Sequence, residues 1–281
     1  MDTKSTNKTI YLCLAESLKE NGASYIELLK SVRKNVSEES VHEIRVTIRK
    51  LEACLELLDS LGIRHKNLSK DLRHIRKIHG PIRNMHVELE SIKNIEDMVN
   101  LKPFKIYLKK HVKKFEKNLL KELDHFSLEK KYKEIQKIVD KLLKKDIPVL
   151  DEKAINPMET KLQKTSKEFE KSKKSFSPNI PKSIHAIRIT AKKLRYQGEI
   201  LKPAINFDNI NLRELKRLQA TFGNIQNNNV LQKSINKYLR KNSNKGSRSV
   251  LKLQTYIAKE QNNLVALASK IKGMKEVKEK K

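Results

Sequence analysis

Val41–Leu58, VHEIRVTIRKLEACLELL, is written twice in this chain. The second copy is Ile184–Leu201, IHAIRITAKKLRYQGEIL, in which His42 answers to His185, Arg45 to Arg188, Thr47 to Thr190, and Arg49-Lys50-Leu51 to Lys192-Lys193-Leu194. A second block, LRHIRKIHGPIRNMHV from Leu72, returns as LKRLQATFGNIQNNNV from Leu215. His42 to His185 and Gly80 to Gly223 are both 143 positions. Two separate blocks keeping one offset mark a tandem duplication.

On a helix turning 100° per residue, His42, Arg45 and Arg49 fall within roughly 60° of one another. Ile44, Ile48, Leu51, Leu55 and Leu58 gather on the opposite side, so the stretch buries one stripe and offers a basic one. In the second copy His185, Arg188, Lys192 and Tyr196 line up against Ile187, Ala191, Leu194 and Leu201, with Arg195 at the edge. A lone basic stripe is ordinarily a solvated surface, and like charges at helical spacing repel by about 0.2–0.5 kcal/mol per pair. Here the stripe recurs, and it reads as nearly free of the alternating Glu that decorates ordinary exposed helices. Guanidinium groups bind phosphate bidentately through charge-assisted bonds. The rise from His42 to Arg49 is about 10 Å at ~1.5 Å per residue, which suits a chain of phosphates.

The 281 residues suffice for one large helical domain or two ordinary ones. Seven Gly, seven Pro and 5% aromatics over that length argue against a sheet protein and for long helices. Sixty-two basic against 33 acidic residues give a net charge of +29, a field that attracts polyanions without naming one. Nucleic acid, anionic membrane and inorganic polyphosphate all stay open on charge alone. Cys13 and Cys54 sit in helical patterns and read as buried reduced thiols. Glu16, Lys19 and Glu20 interrupt any signal-peptide core, and nothing approaches a membrane span, which places the protein in the cytoplasm.

In chain order, a helix is expected over about Thr9–Lys34, frayed or bent at Asn21-Gly22. Ser37 caps a second that stops at Gly62. Leu68–His79 forms a third, which Gly80-Pro81 ends while opening another, so that Arg83 lies in a helix's first turn, where free amides favour anions. Gly223-Asn224 marks the same turn in the second half. Lys102–Lys145 reads as a hairpin broken near His125–Ser127, and Ile147–Pro157, with two prolines, as the joint between halves. A helix follows at Met158–Ser175, a break at Ser177–Pro181 precedes the His185 helix, and further helices come at about Leu212–Phe222, Ile225–Arg240 and Arg248–Lys272. Asn242–Ser247 reads as a polar loop and residues 273–281 as a disordered basic tail.

The motifs H-x-x-R-x-x-x-R-K-L at His42 and H-x-x-R-x-x-x-K-K-L-R-Y at His185, each followed by a helix–Gly–helix block, resemble the CHAD family, the conserved histidine α-helical domain. The resemblance implies a single domain over 1–281, all-α, built as two antiparallel four-helix bundles related by a pseudo-twofold axis. The repeats would occupy 8–146 and 151–272. It also implies non-catalytic binding of inorganic polyphosphate through basic helix faces and a pore between the bundles. Partners implied are a triphosphate-tunnel (CYTH-type) enzyme or proteins of polyphosphate granules. Carried onto this sequence, the binding set is His42, Arg45, Arg49, Lys50, His185, Arg188, Lys192, Lys193, Arg195 and Tyr196, with Arg73, Arg76, Lys77, Arg83, Lys216 and Arg217 added. The chain departs from the family's R-D-x-D-V run, having Arg83-Asn84-Met85-His86-Val87 and Gln226-Asn227-Asn228-Asn229-Val230. Glu52 stands where the second copy has Arg195, which shortens the first stripe.

Metal binding fits poorly, because both motif histidines sit among cations with no carboxylate or second His at i+4. Phosphoryl transfer needs Mg²⁺ carboxylates and usually a glycine-rich cradle, and the stripes carry neither, so no catalytic residue and no cofactor are expected. RNA or general polyanion binding is the main alternative. Single-strand binders normally add aromatic platforms, and the stripes have few. Membrane binding is not expected, for want of an aromatic-rich apolar face.

Overall fold

The computed structural model describes residues 8–93, 95, 100–177, 180–206, 210–242 and 247–270. All regular structure among them is helical, so the expected all-α class is found. The helices are α1 Ile10–Lys34, α2 Glu38–Ser60, α3 Lys66–Lys93, α4 Lys102–Asp124, α5 Leu128–Leu143, α6 Pro148–Lys174, α7 Pro181–Leu201, α8 Leu212–Lys241 and α9 Ser247–Ser269. The loop expected at 242–247 lies, but for its first and last residues, outside the described residues, as does the tail at 273–281.

Local chemistry fixes the early boundaries. The Thr9 hydroxyl accepts from Leu12 N, and the Asp151 carboxylate accepts from Ile10 N at 2.6 Å, satisfying donors that a helix start leaves orphaned. Ser37 and Ser40 form a reciprocal capping box at α2. After α2, Gly62 takes a positive φ of 66°, the conformation that favours glycine at a helix end.

Three expected breaks are not breaks. Helix α3 runs straight through Gly80-Pro81, and α8 through Gly223-Asn224. Pro81 removes a backbone donor and costs about 3 kcal/mol in a helix interior. The buried stripe of α3, however, continues across it through Ile75, His79, Ile82 and His86. The stripe of α8 likewise spans its glycine, with Leu215, Leu218, Phe222, Ile225 and Asn228 inward. Pro157 lies inside α6, which opens at Pro148, so the expected joint is helical from there on. In each case a continuous packed face outweighs a local breaker.

The chain divides into two compact units, and each takes segments from both halves of the repeat. The first unit holds residues 1–77, 120–168 and 192–215. There α1 packs against α2 and α5, and Leu14, Leu18, Tyr25 and Leu29 of α1 and Ile44, Ile48 and Leu51 of α2 are fully buried. Gly22 does not bend α1; it is buried where a Cβ would stand 2.7 Å from Ile135 Cγ2. The Arg33 guanidinium donates to the carbonyls of Leu123 and Phe126, closing the end of α4. Both cysteines lie in this unit, free and buried, and burial pushes their thiols up to about 11 for Cys13 and about 12 for Cys54.

The second unit holds residues 78–119, 169–191 and 216–281. Its core joins Ile92, Phe104 and Leu108 to Leu231, Ile235, Tyr238, Leu253 and Ile257. Phe104 and Tyr238 meet edge to face at 5.2 Å, as do Phe176 and Phe222 at 5.6 Å.

Candidate functional site

The apolar stripe of α2 decides where its cations go. With Ile44, Ile48, Leu51, Leu55 and Leu58 buried, His42 is exposed and Arg45, Arg49 and Lys50 are half-buried. In the first unit Arg45 and Arg49 meet Arg76 of α3. Arg45 Nη1 donates to the Arg76 carbonyl at 3.2 Å. Arg76 Nε donates to Glu52 Oε1 at 2.8 Å, and Arg49 Nη1 lies 3.8 Å from Glu52 Oε2. Burial pushes the Arg49 guanidinium below its usual range; Glu52 and Tyr196 oppose that shift and the Arg76 charge adds to it. Arg73 and Lys77, also on α3, are exposed.

The α7 portion of the same unit is occupied differently. Lys193 Nζ lies 2.9 Å from Glu56 Oε2 and 3.6 Å from Glu168, and Lys161 lies 3.6 Å from the same Glu56 oxygen. Gln197 Nε2 donates to Glu56 at 3.2 Å. Arg195 pairs with Glu199 at 2.6 Å and lies over the Tyr196 ring, 4.3 Å from its centroid. Tyr196 is 5% exposed, so it underlies the basic surface instead of projecting from it. Lys50 lines a depression of about 230 Å³ together with Glu16, Glu20, Asn21, Tyr196 and Glu199. Lys192 is half-buried on the same turns of α7.

In the second unit Ser183 anchors the start of α7, its hydroxyl accepting from Ser177 N at 3.0 Å and donating to Ser177 O at 2.6 Å. Thr190 Oγ1 meets Ser172 Oγ of α6 at 2.8 Å, and Gln219 of α8 donates to the Ala191 carbonyl at 3.3 Å. These bonds, with Ile184 and Ile187 buried, leave His185 exposed and Arg188 half-buried. Arg83 is half-buried within α3, and Lys216 and Arg217 are exposed on α8. Because α3 is unbroken, Arg83 lies in a helix interior and α3 does not offer the free first-turn amides expected there.

The stripes are therefore not nearly free of acids. Glu56 was missed, and Glu52 was read only as shortening the first stripe; Arg49 lies at i−3 of Glu52, which a helical wheel shows, whereas Arg76, Lys161 and Lys193 lie on other helices, where it cannot. One signal was present: Glu56 answers to Glu199 at the repeat offset. Among the described residues no group of three or more His, Cys, Asp or Glu could hold a metal, and no helix is long and apolar enough to cross a membrane.

Fold and site together define a basic all-α protein in which Arg49, Arg76 and Arg195 pair with carboxylates of their own or a neighbouring helix. The sequence profile of the CHAD domain matches residues 18–236, and the chain belongs to that family. The crystal structure of the CHAD domain from the plant Ricinus communis has the same fold, with a TM-score of 0.67 and 18% identity over 93% of each chain. Comparison with curated proteins gives no match.

Proposed function

We propose that this protein binds inorganic polyphosphate, without turning it over, through the basic faces of α2, α3 and α7. The observation that carries this reading is the convergence of Arg45, Arg49 and Arg76 in the first unit, three guanidiniums joined through the carbonyl of residue 76 and the carboxylate of Glu52. Such a group presents fork-shaped donors to tetrahedral oxyanions and needs nothing from a base or sugar. Membership of the CHAD family supports the same ligand.

RNA offers the same charge with wider spacing, and its single-strand binders add stacking platforms. The one aromatic of the motif stripes, Tyr196, is buried, and the tyrosines that are exposed among the described residues, Tyr132 and Tyr256, lie on α5 and α9. The test is a competition titration: labelled polyphosphate on the protein, displaced by single-stranded RNA at matched phosphate concentration and physiological salt. Displacement only at large RNA excess is the expected result. Equal or better competition by RNA would replace this reading with a general polyanion or nucleic-acid role.

A further inference from the structure

We infer that Glu52 is the positioning residue of the arginine cluster, holding Arg49 and Arg76 in the orientation in which they receive phosphate oxygens. This rests on the polyphosphate reading and deepens it by naming how the site is organised.

One carboxylate engages two guanidiniums through different oxygens, Oε1 with Arg76 Nε at 2.8 Å and Oε2 with Arg49 Nη1 at 3.8 Å. A planar guanidinium bound at Nε still has both terminal nitrogens to offer, and those form the end-on fork that matches a phosphate. Arg45 is tied into the same group by its bond to the Arg76 backbone. The side chains of Arg49, Arg76 and Glu52 are 29%, 32% and 23% exposed, so the cluster is partly desolvated yet open to a ligand. The Arg49 and Arg76 charges oppose one another, and a long Arg side chain has about 2 kcal/mol of rotamer entropy with which to swing away. Glu52 opposes both effects before any ligand arrives.

Charge alone argues for the opposite residue. On a chain of net charge +29 that attracts a polyanion, an acid in the middle of the basic face weakens the local field. The duplicated helix shows the alternative in place, since Arg195 occupies the position equivalent to Glu52. An acid at position 52 is accounted for by geometry, because its carboxylate contacts both guanidiniums.

The experiment compares polyphosphate binding by wild type, Glu52→Gln, Glu52→Asp and Glu129→Gln at fixed salt, with Glu52→Gln also placed in an Arg76→Ala background. Glu129 is an exposed surface partner of Lys133, so its substitution adds the same charge away from the cluster. Expected are unchanged or slightly tighter binding for Glu129→Gln and about tenfold weaker binding for Glu52→Gln, the size of one charge-assisted bond. Glu52→Asp, which keeps the carboxylate and guards against a misfolded Gln variant, recovers part of the loss. With Arg76 absent, Glu52→Gln has a smaller effect than in the wild-type background. If Glu52→Gln binds as tightly as wild type or tighter, the positioning role is overturned and the polyphosphate reading stands. If wild type itself does not bind polyphosphate, both fall.

Discussion

Lys193 Nζ lies 2.9 Å from Glu56 Oε2, and that one oxygen also receives Gln197 and has Lys161 at 3.6 Å. Glu56 thereby ties α2 to α6 and α7 within the first unit. A cation set between the Glu56 and Glu168 carboxylates has most of its charge already answered and one N–H left to offer, whereas Arg76 presents both terminal nitrogens while keeping Glu52. Lys193→Ala is accordingly expected to weaken polyphosphate binding less than Arg76→Ala does, measured by titration at one salt concentration. Glu56→Ala acts on stability instead. With the carboxylate 39% exposed, the expected cost is about 1 kcal/mol, a fall of roughly 2–4 °C in Tm.

One arginine from each copy of the motif separates the family's surface from general basicity. Arg45→Glu together with Arg188→Glu removes two of 62 basic side chains and is expected to abolish polyphosphate binding with the far-UV circular dichroism intact. The wild-type affinity should fall steeply with salt. For about eight phosphate contacts the single-strand rule gives a log–log slope of roughly −5 to −6. Normal binding by the double variant would place the site elsewhere on the molecule.

Glu88 of α3 supplies a pH signature in the second unit. It is 1% exposed, and burial pushes its carboxyl up to about 7, with the Ser234 hydroxyl pulling the other way. The folded state therefore binds this proton more tightly than the unfolded chain does. Its contribution to stability is full below about pH 4.5 and is lost as pH rises through about 7, on the order of 3 kcal/mol in all. Glu88→Gln removes the ionisation, so thermal melts at pH 5 and pH 8 should differ less for the variant than for wild type. An equal difference in both proteins would rule Glu88 out as a source of the pH dependence.

What could be read from the chain and what could not divide along the range of the interactions involved. Ser37 and Gly62 were legible because caps and αL stops are settled within a few residues, and α4–α5 broke where Ser127 supplied the next cap. Gly80-Pro81, Pro157 and Gly223 misled because the packed stripes that override them are made by partners distant in sequence. The helical wheel placed Arg45 and Arg49 on one face correctly, and it grouped Tyr196 with cations although that ring is buried beneath Arg195. Glu52 looked like an interruption of a basic stripe, and Glu56 drew no reading at all. Only the tertiary arrangement, with Arg76 24 residues from Glu52 and Gln197 141 residues from Glu56, makes them its organisers.

Two glycines in helix interiors should respond oppositely to the same substitution. Alanine has the better helix propensity by about 1 kcal/mol, so an interior glycine with room for a methyl gains by the change. Gly223 in α8 has nothing within 4 Å of an added Cβ, and Gly223→Ala is expected to raise stability by about 0.5–1 kcal/mol. At Gly22 the new methyl would meet Ile135 Cγ2 at 2.7 Å and Cδ1 at 3.2 Å. The Cγ2 methyl branches from Cβ and cannot swing clear without a change of rotamer in a fully buried side chain. Overpacking of this kind costs typically 1–3 kcal/mol, which exceeds the propensity gain, so Gly22→Ala is expected to lower Tm. Chemical denaturation of the two variants beside wild type measures both signs at once. A stabilised Gly22→Ala would mean that α1 and α5 approach less closely than the 2.7 Å contact requires.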